Sequence, residues 1–87
     1  MKRHAFIYED IKRETERQDK KWGIQFHTPE VWLAILGEEV GESNKAFLEH
    51  MFGNKSTTDL RAELVQVAAV AVQFIEQLDN DFNPQLN

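Results

Sequence analysis

Apolar and polar positions along the chain fall into three stretches of helical periodicity, separated by short breaks rich in glycine, proline and threonine. Residues 4–21 are dense in Glu, Lys, Arg and Gln, all good helix formers, with Phe6, Ile7 and Ile11 as a thin apolar stripe. Gly23 ends that helix, and residues 22–28 (WGIQFHT) read as a loop carrying the rings of Trp22, Phe26 and His27. Thr28 followed by Pro29 has the form of an N-cap with proline in the first helical position, so a second helix is expected over 29–50. Gly53-Asn54 marks a turn, one of Ser56, Thr57 or Thr58 caps the third helix, and Asp59 suits the positive end of its dipole. That helix is expected over 58–80, with the tail DFNPQLN as a short loose end.

The pattern predicts an all-α fold: one helical-bundle domain over residues 1–87, without repeats or low-complexity segments. The third helix is apolar nearly all round between Leu64 and Ile75, as expected of a helix buried on most sides. Three helices from 87 residues cannot easily enclose it, and a domain this small is marginal alone. With no cysteine, disulfides and thiolate metal sites are excluded as supports. The expectation is a bundle completed by oligomerisation, as a homodimer or homotetramer.

On a helical wheel, Leu33, Leu36, Val40 and Phe47 of the second helix form one apolar arc that reads as ordinary core. Glu39 is out of place, falling about 20° from Trp32 on one side and Ala46 on the other. Glu42 follows one turn on, and Glu38 lies one turn before Glu42. In the third helix, Glu63 heads a line continued by Val67, Val70 and Phe74, with Gln66 slightly to one side. A Glu pair at i, i+3 is ordinarily a solvated face, but the apolar neighbours of Glu39 and Glu63 argue otherwise. Several ionised carboxylates in an apolar setting need cations. Nearby bases are few: Lys45 beside the second-helix strip, and Arg61 on another face of the third. Hard oxygen ligands suit Mg²⁺, or Mn²⁺, rather than zinc. Gly37 and Gly41 flank these acids inside a helix, where each costs about 0.5–1 kcal/mol relative to alanine. Close helix packing or close approach of a metal or phosphate would each explain them.

A net charge of −5 lacks the basic face that DNA or RNA binding needs, although a nucleotide can still be held through metal ions. No apolar run is long enough for a membrane span, and MKRHAFIYED has no apolar signal core, so a cytoplasmic protein is expected.

Glu38-Glu39-Val40-Gly41-Glu42, followed after 20 residues by Glu63-Leu64-Val65-Gln66, resembles the signature E-x-x-E, spacer, E-x-x-D of the MazG-like all-α nucleoside triphosphate pyrophosphohydrolases. The resemblance covers about half the chain. It extends to QDKKWG and LRAELVQVAAVAV, which look like segments of small MazG-like proteins. It implies Mg²⁺-dependent cleavage of a (d)NTP substrate to its monophosphate and pyrophosphate. By position, Glu39, Glu42, Glu63 and Gln66 would hold metal, and Glu38 would be a further ligand or the base for the attacking water. The signature's final Asp is Gln66 here, whose carbonyl can bind a hard cation without contributing charge. Asp59, one turn before Glu63, is a possible replacement or a simple dipole residue. Lys45 is a candidate for phosphate, otherwise a solvated lysine. Trp22, Phe26 and Trp32 are candidates for stacking on a base, Trp32 otherwise packing in the core; His27 more often caps or packs. The rival reading is a non-catalytic helical interaction module with a degenerate metal site. A phosphoribosyl-ATP pyrophosphatase is disfavoured because no extra basic cluster is present.

Overall fold

A computed structural model describes residues 3–81. It is an all-α bundle of three helices, α1 (Ala5–Trp22), α2 (Pro29–Gly53) and α3 (Thr58–Asp81). The expected loose end beyond Asp81 lies outside the described residues.

The breaks between helices follow local chemistry. Gly23 stops α1 with φ 74°, and its N–H donates to the Asp19 carbonyl at 2.8 Å. Lys20 and Lys21 sit in that last turn, where cations favour the helix dipole. The Thr28 hydroxyl accepts from the Val31 N–H (3.4 Å) and Pro29 occupies the first turn of α2. Asn54 closes α2 in the left-handed region (φ 58°), three residues later than the sequence pattern predicts. Trp22, expected in the loop, is the last residue of α1.

α3 is the central element. α1 and α2 both pack against it, and their own backbones stay apart. The core is thin: among the described residues, Trp32, Ala46, Ala69 and Val70 are its buried apolar side chains, and α1 buries no residue fully. Trp32 stacks on Phe74 with ring centroids 5.9 Å apart, and His27 meets it edge-on at 4.9 Å. α1 is joined to α3 by the Arg61–Asp10 ion pair (2.7 Å) and by Ile7 and Ile11, which line a groove with Leu64, Val65 and Ala68.

Two expectations about burial are corrected. The arc of Leu33, Val40 and Phe47 is not core: Leu33 is 58% exposed, Val40 and Phe47 nearly half, and Leu36 half-buried. α2 has two apolar faces, and the one bearing Trp32, Ile35 and Ala46 meets α3. Nor is α3 buried on most sides, since Leu64, at the rim of the groove facing α1, is 52% exposed, and Val72 and Ile75 are exposed as well. Gly37 and Gly41 belong to the open side of α2. A side chain at either would meet nothing within 4 Å, so no contact inside the chain requires them.

Candidate functional site

The inner face of α2 carries Trp32, Ile35, Glu39, Ser43, Ala46 and His50, all buried or half-buried. Helical spacing puts Glu39 there, so its carboxylate is carried into the cleft between α2 and α3 with the apolar side chains around it. Glu63, at the head of the Val67–Val70–Phe74 line of α3, is also half-buried. Burial raises the pKa of Glu39 above the ordinary carboxylate value, and repulsion from Glu63, Glu38, Glu42 and Glu14 raises it further.

Glu14 of α1 is a member of this group that sequence reasoning passed over. It lies in line with Ile7 and Ile11 at helical spacing, which was the available signal. Its fate differs from that of Glu39. Arg17 donates to both of its oxygens (3.0 and 2.6 Å), and this hydrogen bonding holds the Glu14 carboxyl below its ordinary value. Gln18 Nε2 donates to Glu14 (2.8 Å) and, more loosely, to Gln66 Oε1 (3.4 Å). Gln66 is therefore tied to α1. Glu38, Glu39, Glu42 and Glu63 are in no ion pair among the described residues.

The expected site residues are distributed over three adjoining depressions. Glu39 and Gln66 line one groove with Trp22, Trp32, Arg17 and Gln18. Glu42 and Glu63 line a second with Lys45, Lys55 and Asp59. Asp59 thus shares a wall with Glu42 and Glu63. Phe26 lines the third, a cavity of about 250 Å³, together with Trp32, Gln25, Gln73 and Gln77. Glu38 is exposed on α2. Among the described residues, no three His, Asp or Glu side chains are gathered closely enough to hold a metal ion by themselves.

The aromatic candidates differ in availability. Trp32 is 3% exposed, with one face against Phe74 and its indole N–H spent on Gln77. Trp22 and Phe26 are largely exposed, and the Lys21 ammonium sits 4.8 Å from the Trp22 ring. Gln77, also overlooked, pins the loop between α1 and α2. Its Oε1 accepts from the His27 N–H (2.9 Å) and Trp32 Nε1–H (2.8 Å), while its Nε2 donates to the His27 carbonyl.

The raised pKa of Glu39 has a consequence for stability. The folded protein keeps this proton to higher pH than the unfolded chain does. Stability therefore falls as pH rises from the ordinary glutamate value, 4.5, through the folded value, and the loss is complete above both. Glu39→Gln removes the loss. Without metal, the variant is expected to melt a few degrees above the parent at neutral pH, the gap closing below pH 4.5. Melting curves in chelator across pH measure this, and a variant less stable at neutrality contradicts it.

No protein-family model, no curated protein and no solved structure matches this chain. No helix among the described residues is long and apolar enough to cross a membrane.

Proposed function

We propose that the chain is a MazG-like nucleoside triphosphate pyrophosphohydrolase, dependent on Mg²⁺ or Mn²⁺ and working in the cytoplasm. The observation that carries this reading is Glu39: half-buried, repelled by four other carboxylates and in no ion pair among the described residues. Such a cluster holds negative potential that a hard dication relieves. The donor set is all oxygen, which fits Mg²⁺. The spread of Glu39, Glu42 and Glu63 over two adjoining grooves also fits it, because Mg²⁺ commonly takes one or two carboxylates and completes its shell with water and substrate phosphates.

When bound, the metal supplies charge neutralisation on the phosphates and an activated water. The chain's own groups do the rest. One or two of Glu39, Glu42 and Glu63 would hold the metal through carboxylate oxygens, with the Gln66 carbonyl as a further donor on the Glu39 side. Glu38, exposed beside Glu39, accepts the proton of the attacking water as its oxygen bonds to phosphorus and the α–β bridge breaks. Lys45 neutralises phosphate charge. Trp22, whose ring lines the Glu39 groove, presents a face to the base, and Phe26 a second apolar surface nearby.

A second copy of the chain is part of the proposal. Leu33, Val40, Phe47 and Met51 form a continuous exposed stripe on α2, and Leu64, Val72 and Ile75 another on α3. Covering such surfaces is worth roughly 25 cal/mol per Å², and a chain with so thin a core lacks that stabilisation alone. The glycines on the α2 side would let a second backbone approach. The same open faces, with Gln66 engaged by Gln18, favour the second reading of a non-catalytic interaction module.

Incubation with each dNTP and Mg²⁺ or Mn²⁺ is expected to release the monophosphate and pyrophosphate, from a species that sediments as an oligomer. A saturating metal–nucleotide mixture, at about 100 times its Kd, is expected to raise the melting temperature by roughly 10 °C or more. An interaction module would neither turn over nucleotide nor respond.

A further inference from the structure

The groove of Glu42 and Glu63 is also lined by two lysines, one of them paired with an acid. Lys55, in the loop after α2, reaches back to Glu49 at 2.7 Å, and Lys45 lies on the same wall. The loop is set for this. Asn54 turns it through the left-handed region, and the Lys55 carbonyl accepts from His50 Nδ1 at 2.6 Å. A carbonyl can only accept, so His50 carries its proton on Nδ1.

We infer that Lys45, Glu49 and Lys55 form the seat for the pyrophosphate end of the substrate, with Glu49 occupying Lys55 in the free protein and yielding it to phosphate. This rests on the reading of the chain as a pyrophosphohydrolase. Three facts support it. The groove adjoins the proposed metal-binding carboxylates, so a phosphate chain held there extends into it. Its remaining charged walls are acidic, namely Glu42, Asp59 and Glu63, so an entering polyanion needs Lys45 and Lys55. The Lys55–Glu49 pair is a surface pair, with side chains 57% and 38% exposed, and such pairs are weak enough to exchange. A phosphate brings more charge and more acceptor oxygens than the carboxylate it replaces.

The test is titration of wild type, Lys55→Gln and Glu49→Gln with pyrophosphate in Mg²⁺, alongside dNTP kinetics. Lys55→Gln is expected to weaken pyrophosphate binding and raise KM roughly tenfold, the loss of one charge-assisted contact. Glu49→Gln is expected to tighten pyrophosphate binding several-fold, because the internal competitor is gone. Any other pattern overturns the seat. If wild type hydrolyses dNTPs while both variants bind pyrophosphate as it does, the seat fails and the enzymatic reading stands. If wild type hydrolyses none, the enzymatic reading fails, and the pyrophosphate titration still decides whether the seat exists. Lys55 is exposed and Glu49 half-buried, and circular dichroism checks that the variants remain folded.

Discussion

Glu63→Gln is expected to lower turnover of the preferred nucleoside triphosphate by roughly two to three orders of magnitude, and Glu39→Gln by a similar factor. Both carboxylates sit half-buried on helix faces that meet across the α2–α3 cleft, and the charge of Glu63 raises the cost of charge on Glu39. Converting either to an amide keeps shape and one carbonyl oxygen but removes the negative charge that holds a dication. Several kcal/mol of charge stabilisation at the phosphates goes with it, and each 1.36 kcal/mol is about tenfold in rate. The amide also relieves repulsion, so the metal-free proteins are expected to hold or gain thermal stability while losing activity. That opposition separates a site effect from unfolding. Turnover within threefold of the parent in both variants would remove these residues from the chemistry.

The helix boundaries were legible because local chemistry sets them: Gly23, Thr28-Pro29 and Asn54 act within a turn of their own positions. Glu39 was legible because periodicity placed it between Trp32 and Ala46, both buried. The error over Leu33, Val40 and Phe47 has a physical source. Periodicity shows that α2 has two apolar faces, but not which one its own chain covers. That choice is made by α3, which meets the face bearing Trp32. Glu14 was hidden for the opposite reason. In a run such as KRETERQDKK a charge is the rule, and only alignment with Ile7 and Ile11 marks this one as turned toward α3. Gln77 gave no local signal at all, because its partners at His27 and Trp32 are 50 and 45 positions away.

Gln77→Leu is expected to destabilise the fold by about 2–4 kcal/mol, since buried polar groups left unpaired cost about 1–3 kcal/mol each. Gln77 is 7% exposed and serves three partners at once. Leucine conserves much of the volume but strands the Trp32 indole N–H, which is 3% exposed with Phe74 against one face. The His27 N–H and carbonyl are less costly, because His27 is only half-buried and water can replace part of the loss. For a domain of this length the expected fall in melting temperature is roughly 10–20 °C. Gln77→Glu separates the hydrogen bonds from the packing. A protonated carboxyl can still accept from Trp32 and donate to the His27 carbonyl, whereas an ionised one faces that carbonyl with no donor. Burial and the carbonyl raise its folded pKa above that of the unfolded chain. The variant's stability is therefore retained below the ordinary glutamate range and lost as pH rises through the folded value. Thermal melts of both variants at pH 4 and pH 7 decide the matter. A leucine variant within about 0.5 kcal/mol of the parent, or a glutamate variant indifferent to pH, would mean that the loop between α1 and α2 is held by packing alone.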